Sequence, residues 1–314
     1  MTRTIKLTVA AIIFGAVLSL TTFAQGSPWI RMMNQGISNV NDVAMHPNGR
    51  IWITKTDGTI WSAQNENSNF VQVPAPGFAV RISANVLTCI TTNDGRLFYR
   101  HESANTWQQI NRPNSFVNDV DIGFPHTTVS GTYLAHLWIS ETIFPIASNN
   151  SVKYINAKND VSEKTLPPQI GVVSYLDYYA LQGTFNGSFT STNSMGFSRV
   201  SVKAAGLQNQ VWGVGFNGTV WKYVGNSWIR TPAQGMSDVT DAHGGNIWLA
   251  GQQQYNGTIW CSTDIGLTFR QDTGEKGFQN LASSYGWSEF QSIYAAGYNG
   301  TLWKRAEAPS PCIP

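Results

Sequence analysis

The sequence predicts an all-β protein, a single β-propeller of about seven four-stranded blades, with six blades as the alternative. Three observations support this prediction. A short turn motif recurs along the chain, apolar strand-like segments flank its copies, and amphipathic helical periodicity is absent after the N-terminal segment. Because the chain has few charged residues for its size, closing the strands into a ring is one way to avoid exposed strand edges.

The recurring motif consists of a turn residue, glycine, a small residue, an aliphatic residue and an aromatic residue. Asn-Gly and Asp-Gly pairs accept the positive φ angles of a tight hairpin turn. The glycine-equivalent positions are 31 to 46 residues apart, which is the length of one propeller blade. The copies, of which Ser140–Phe144 is degenerate, are Asp57–Trp61, Asp94–Phe98, Ser140–Phe144, Asn186–Phe189, Asn217–Trp221, Asn256–Trp260 and Asn299–Trp303.

Adjacent apolar residues in the strands, such as Ile259 and Trp260, indicate that both faces of each sheet are covered, as when blades stack. The third-strand tryptophans are therefore expected in the core between blades; they are Trp61, Trp221, Trp260 and Trp303. The last motif has no outer strand after it, whereas Trp29–Met32 offers one near the N-terminus. We expect this segment to pair with the blade that holds Trp303 and to close the ring.

The N-terminal residues have the pattern of a signal peptide. Arg3 and Lys6 precede an apolar run from Leu7 to Leu20, and Thr22 and Ala24 provide a small-residue cleavage site. The run is short for a membrane span, and no transmembrane segment is expected. We therefore predict a signal peptide over residues 1–24, a propeller domain over 25–306 and a Pro-rich tail over 307–314, in a secreted or periplasmic protein.

The charge distribution excludes nucleic-acid binding, and the cysteine content limits the number of disulfides. The chain has 20 basic and 18 acidic residues, and the signal peptide holds two of the basic ones, so the mature chain is neutral. Nucleic-acid binding requires clustered Lys and Arg, which are scattered here. The cysteines Cys89, Cys261 and Cys312 allow at most one disulfide, for which Cys261 with Cys312 is the proposed pair and free thiols are the alternative.

Catalytic and metal-binding signatures are missing from the sequence. No nucleophile elbow, phosphate-binding loop or zinc motif is present, and the five histidines lack metal-ligand spacing. We expect no enzyme activity, no cofactor and no metal. Asp42, Asp119 and Asp238 begin the inner strands, where they would either hold a cation at the channel mouth or, as we favour, form Asx turns.

An aromatic residue directly precedes the turn in four consecutive motifs. An aromatic ring packs on the apolar face of a sugar while an amide exchanges hydrogen bonds with its hydroxyls, so these pairs predict carbohydrate-binding sites. The alternative is that each aromatic residue packs on a neighbouring blade and each Asn only makes the turn. The pairs are Phe185 and Asn186, Phe216 and Asn217, Tyr255 and Asn256, and Tyr298 and Asn299.

The repeats from about residue 28 to 305 resemble tectonin propeller repeats. The resemblance is carried by Trp228–Gly235, Asp238, Val239, Asn246–Leu249 and Asn256–Trp260. Tectonin propellers typically have six blades, and many are lectins. The resemblance therefore implies multivalent binding of cell-surface glycans. The alternative is a protein-interaction scaffold or assembly factor of the cell envelope that binds other envelope proteins. Ser262–Phe269 also resembles an Asp-box, a structural turn in which Asp264 would bond backbone amides.

Overall fold

The computed structural model describes residues 29–34, 36–113, 115–123, 126–127, 133–143, 170–179, 184–192, 196–205, 208–242, 246–252, 257–272, 276–283 and 292–305. The predicted signal peptide and the Pro-rich tail lie outside these residues. Every regular element among them is a β-strand, and they form six antiparallel sheets that pack side by side as the blades of a propeller. No helix in this part of the chain has the length and hydropathy of a membrane span.

Four blades follow a simple order from the inner to the outer strand. Blade 1 contains β2 (Val40–Met45), β3 (Ile51–Lys55), β4 (Ile60–Ala63) and β5 (Val71–Val73). Blade 2 contains β6 (Ala79–Ala84), β7 (Leu87–Thr92), β8 (Leu97–His101) and β9 (Gln108–Ile110). Blade 4 contains β15 (Phe197–Ala205), β16 (Gln208–Gly215), β17 (Val220–Val224) and β18 (Ser227–Arg230). Blade 5 contains β19 (Met236–Ala242), β20 (Asn246–Gly251), β21 (Ile259–Ser262) and β22 (Arg270–Gln271).

Blade 6 confirms the predicted closure of the ring. It contains β23 (Phe278–Ser283), β24 (Ile293–Gly297) and β25 (Leu302–Arg305), and its outer strand is the N-terminal β1 (Trp29–Arg31). Trp29 lies opposite Arg305 and Arg31 lies opposite Trp303. The two ends of the propeller domain therefore share one sheet, which leaves neither end as an unpaired edge.

Blade 3 explains why there are six blades and not seven. It contains β10 (Ser115–Ile122), β12 (Tyr133–Ile143), β13 (Ile170–Tyr179) and β14 (Thr184–Ser191), and β11 (His126–Thr127) pairs with β12. The degenerate motif Ser140–Phe144 reaches the end of β12, and Asn186–Phe189 lies inside β14. Two predicted motifs thus belong to one enlarged blade. The count of seven is wrong, and the alternative of six is confirmed.

Burial decreases from the second strand of a blade to its outer strand. All residues of β3, β7 and β24 are buried, as expected for strands covered on both faces, whereas most residues of β5 and β9 are exposed. Six apolar clusters fill the described core, one at each interface between neighbouring blades. The third-strand tryptophans pack against these clusters, which confirms their predicted place: Trp61, Trp221, Trp260 and Trp303.

At five of the six blade interfaces the glycine turn also connects one blade to the next. The carbonyl of the turn glycine accepts a hydrogen bond of 3.0 Å from an amide near the start of the following inner strand, the first residue of the strand in four blades and the third, Val117, in blade 3. The glycines adopt φ between +65° and +80°, and among the described residues that precede them none is left-handed. The bonded pairs are Gly58 with Ala79, Gly95 with Val117, Gly218 with Met236, Gly257 with Phe278 and Gly300 with Val40.

Two further sequence predictions concern local structure. Asp264 accepts a hydrogen bond of 2.9 Å from the amide of Thr268, as the Asp-box resemblance implies. Cys261 is disulfide-bonded, whereas Cys89 is free and buried. The proposed partner Cys312 lies outside the described residues.

We expect Gly300→Ala to destabilise the protein more than Gly49→Ala. Both glycines have positive φ, +74° and +90°, so both substitutions carry a backbone cost. A Cβ on Gly300 would lie 2.5 Å from Cα of Asn39, whereas a Cβ on Gly49 would meet no atom within 4 Å. Overpacking at the blade interface should add about 1–3 kcal/mol to the loss for Gly300, measured by urea unfolding. Equal losses would contradict the role assigned to the turn glycines.

Candidate functional site

A relay of hydrogen bonds uses the polar side chains of the turn motif. In blade 4, Asn217 Oδ1 accepts bonds from the amide of Thr219 at 3.1 Å and from its hydroxyl at 2.7 Å. The same hydroxyl accepts a bond of 2.8 Å from Trp221 Nε1. Equivalent relays join Asp57 to Trp61 and Asn299 to Trp303. The motif is therefore a structural unit in which the Asx oxygen is already engaged.

The predicted carbohydrate-binding residues do not form one repeated site. Phe216 and Tyr298 lie at turns and are 58% and 48% exposed. Phe185 instead lies in β14, and its ring contacts Tyr99 edge-to-face at 4.9 Å. The backbone of Asn186 pairs with Asp177 in the sheet, so the turn predicted at Asn186 is wrong. Tyr255 and Asn256 lie outside the described residues.

A further exposed aromatic residue lies on the face formed by these turns, which we call the turn face. Phe78 directly precedes the inner strand of blade 2 and is 44% exposed. Its ring covers Gly58, and its carbonyl accepts a bond of 2.9 Å from Asn93 in the turn of blade 2. Phe78 is not part of the repeated turn motif, so the sequence does not mark it, and it reaches the turn face only because neighbouring blades pack together.

Every inner strand has a β-bulge at the same place. The pairing between the first and second strands shifts by one residue in all six sheets, before the third residue of the inner strand in five of them and before the fifth, Asp119, in blade 3. A bulge changes the direction of the side chain that follows it, and here that residue lies at the central channel, except in blade 6, where the channel lining begins one residue later. In blade order, the residues that follow the bulge are Asp42, Arg81, Asp119, Arg199, Asp238 and Asn280.

These six residues, which we call the channel ring, alternate between acid and base except at Asn280. The acids are in blades 1, 3 and 5, and each accepts a backbone amide from the following blade. Asp42 Oδ2 bonds the amide of Ile82 at 3.0 Å. Asp119 and Asp238 bond Val200 and Leu281 in the same way, at 2.9 and 2.6 Å. These aspartates are therefore not Asx turns, because they connect one inner strand to the next.

The basic residues complete the ring from the other blades. Arg199 Nη2 donates to Asn280 Oδ1 at 3.2 Å, and its Nε lies 3.6 Å from Asp238 Oδ1. Arg81 lies between Asp42 and Asp119 in ring order, and its Nε and Nη1 are buried without a protein partner among the described residues. The cavity enclosed by the inner strands is about 60 Å³, so it has room for a few water molecules only.

Burial dominates the electrostatics of the ring. It raises the pKa of Asp42 to about 6 and that of Asp238 to about 7. It also raises the pKa of Asp121, which lies two positions after Asp119, to about 7. Arg81 and Arg199 oppose the shift at Asp42. The ring carboxylates thus retain protons more readily than exposed ones and are only partly neutralised by the two guanidinium groups.

The arrangement does not favour a cation site. Two guanidinium groups separate the carboxylates, and the carboxylates already bond backbone amides. Within the described part of the chain, no group of three His, Cys, Asp or Glu side chains has the geometry of a metal site. The cation alternative for Asp42, Asp119 and Asp238 therefore has no support in the geometry.

Comparison with solved structures places the fold among known propellers. No family model matches the chain, and no curated protein sequence is significantly similar to it. A calcium-binding protein, regucalcin, from Agrobacterium tumefaciens aligns with 90% of this chain and 96% of its own at 13% identity and a TM-score of 0.56.

Two structures of YCF48 align less well. One, bound to a D1 peptide, covers 88% of this chain and 79% of its own at 16% identity and a TM-score of 0.44. The other, from Cyanidioschyzon merolae, covers 88% and 98% at 12% identity and a TM-score of 0.44. The similarity to regucalcin shows the fold alone, and the tectonin resemblance rests on the repeat residues alone.

From about pH 4 to about pH 7 we expect the free energy of unfolding to fall as the pH rises. The folded pKa of Asp238, about 7, lies above its ordinary value of 3.8, so the folded protein binds more protons than the unfolded chain in this range. This contribution is complete below the ordinary pKa and is lost as the pH rises through about 7. Asp238→Asn keeps an acceptor for the amide of Leu281 and should flatten the profile, measured by urea unfolding.

The matched control for this prediction is Asp57→Asn. The equivalent turns already carry Asn217 and Asn299, so the relay is preserved. Hydrogen bonds from Thr59 lower the pKa of Asp57, so its titration affects stability only below its ordinary pKa. The slope between about pH 4 and about pH 7 should therefore stay as in the wild type. If the free energy of unfolding of Asp238→Asn fell with pH as steeply as that of the wild type, the assignment of this pH dependence to Asp238 would be contradicted.

Proposed function

We propose that the protein is an exported, non-catalytic propeller that binds a protein partner through its turn face. The observation that carries this proposal is the exposure of three large aromatic side chains, Phe78, Phe216 and Tyr298, on the face where the channel ring begins. Exposed aromatic residues near charged groups have the composition of a protein interface, in which aromatic and Arg side chains are enriched.

The turn chemistry favours a protein partner over a glycan. A lectin site at each turn would need the Asn side chain for sugar hydroxyls. The Oδ1 atoms of Asn217 and Asn299 instead accept two bonds each from Thr219 and Thr301.

Tyr298 is the residue around which we expect the partner to dock. Burial raises the pKa of its hydroxyl, and a hydrogen bond from Ser237 opposes that shift. Ser237 directly precedes the channel-ring residue Asp238 in β19, and about half of the surface of the Tyr298 side chain is exposed. A rigid aromatic side chain of this kind loses little conformational entropy on binding.

The test is a selection of a displayed random-peptide library on immobilised protein, followed by affinity measurements on the enriched peptides. We expect Phe216→Ala with Tyr298→Ala to weaken peptide binding by at least about tenfold, since interface aromatic residues carry much of the binding energy. The melting temperature should stay close to that of the wild type because neither side chain is buried. The matched control is Ile229→Ala with Leu267→Ala, which removes two exposed apolar side chains away from the turn face.

Two outcomes would contradict the proposal. Peptides that bind the double variant and the wild type equally would place the interface elsewhere. Selective, sugar-competable binding on a glycan array, together with no enrichment of peptides, would favour the lectin function that the tectonin resemblance implies.

A further inference from the structure

Blades 2 and 6 place a buried arginine at the same position. Arg100 and Arg305 are each the fourth residue of the third strand, and both are 7% exposed. Each guanidinium lies over the second-strand tryptophan of the preceding blade. Arg305 is 4.8 Å from the ring centre of Trp248, and Arg100 is 5.3 Å from that of Trp52. The two interfaces therefore bury the same cation in the same setting.

At the interface of blades 5 and 6 the buried cation has a carboxylate partner. Arg305 Nε donates to Asp272 Oδ2 at 3.2 Å, and its Nη2 donates to Oδ1 at 3.3 Å. Trp29 Nε1 donates to the same carboxylate at 3.1 Å. Asp272 is itself buried, so this pair neutralises a guanidinium that is hidden from solvent.

At the interface of blades 1 and 2 the equivalent of Asp272 is Val73. Strand register establishes the equivalence: Ile60 lies opposite Val73 in blade 1, and the carbonyl of Ile259, the equivalent of Ile60, bonds the amide of Asp272 in blade 5. The side chain of valine has no charge and no hydrogen-bonding group, so it cannot pair with an arginine. The arginine of this pair is therefore present at both interfaces, whereas the carboxylate is present only at the interface of blades 5 and 6.

The surrounding groups at blades 1 and 2 adjust to the missing carboxylate. Trp107 takes the place of Trp29 beside the arginine, with Arg100 5.5 Å from its ring centre, and donates to the carbonyl of Pro74 at 2.7 Å. Arg100 Nε is buried without an acceptor in the described structure, whereas Arg305 Nε has one. The Nε1 of Trp52 is also unpartnered, but so is that of Trp248, so the indole does not distinguish the two interfaces.

A second guanidinium makes the excess of positive charge larger. Arg50 lies 5.8 Å from the ring centre of Trp52, and its Nε is likewise buried without an acceptor in the described structure. Burial, and then the charge of Arg50, lower the pKa of Arg100, whereas Glu102 raises it. The carboxylate of Glu102 is already engaged, since it accepts a hydrogen bond from the side chain of Asn48 and lies 3.4 Å from His46 Nε2. Two arginines thus face one carboxylate that is engaged elsewhere.

We propose that the interface of blades 1 and 2 binds a carboxylate ligand at Arg100, with Arg50 as the second cation. The planar guanidinium fork matches the two oxygens of a carboxylate, as Arg305 and Asp272 demonstrate within the same fold. The ligand supplies the charge that Val73 lacks. It approaches from the side of Arg50, which is only partly buried. This site is independent of the proposed function at the turn face.

The experiment compares melting temperatures in sodium acetate and sodium chloride at equal ionic strength and near-neutral pH. At about ten times its dissociation constant, acetate should raise the melting temperature of the wild type by about 2–4 °C. Val73→Asp places a carboxylate beside Arg100 and should abolish this rise. Val73→Asn has the same shape without the charge and should retain it. Comparing variants removes the general effect of acetate on protein stability.

The reciprocal variant tests the same inference at the other interface. Asp272→Val should lower the melting temperature in chloride and make the acetate-dependent rise larger than in the wild type, since it creates a second unpaired arginine. Should Val73→Asp fail to fold, Arg100→Met keeps the apolar stem beside Trp52 and Trp107 and removes the charge, so the acetate response should disappear.

A blocked peptide with one Glu side chain, set against its Gln counterpart, distinguishes the source of the carboxylate. Stabilisation by acetate alone identifies a small-acid site, and stabilisation by the Glu peptide at lower concentration identifies an acidic side chain of a partner. The inference is overturned if neither probe stabilises the wild type, or if Arg100→Met responds to acetate as the wild type does.

Discussion

The propeller depends on one repeated hydrogen bond, made at five of its six blade interfaces, from an amide near the start of an inner strand to a turn glycine of the blade before it. At the turn of Gly300, for example, the carbonyl bonds Val40 while the missing Cβ leaves room for the backbone of Asn39. A left-handed φ and the close approach of a neighbouring backbone are both needed there, and only glycine satisfies both. The same residue therefore ends a hairpin and sets the distance to the next blade.

Once the blades are held at this distance, the chemistry of the channel follows. The inner strands converge on one axis, and the repeated bulge brings the residues that follow it together. Charged groups in so small a space need opposite neighbours, and the order of Asp42, Arg81, Asp119 and Arg199 provides them. The carboxylates gain further stabilisation from the amides of the following blade. Asn280 interrupts the alternation, and there Arg199 donates to an amide oxygen in place of a carboxylate.

The repeated scaffold lets single residues make one blade different from another. Phe216 and Tyr298 occupy a turn position that holds Thr56 in blade 1 and Asn93 in blade 2, so the turn face is apolar in some sectors and polar in others. Asp272 carries a carboxylate where Val73 carries none, and this difference separates a neutralised arginine from one whose Nε has no acceptor in the described structure. Because the backbone of each blade is nearly the same, one blade is the natural control for its neighbour.

The sequence by itself determined the all-β class, the turn motifs, the strands on both sides of them and the ring closure by Trp29–Arg31, because these features depend on local patterns of Gly, Asx and adjacent apolar residues. It could not give the number of blades, since Asn186–Phe189 has the motif but lies inside a strand whose partner decides its conformation. It suggested Asp42, Asp119 and Asp238 at the channel mouth but not their alternation with Arg81 and Arg199, and it gave no sign of the unpaired Arg100. Asp42 and Arg81 are far apart in sequence, and so are Arg305 and Trp248. The two charges interact, and the guanidinium lies over the indole ring, only because stacked blades bring distant positions together. Only the tertiary structure therefore determines these contacts.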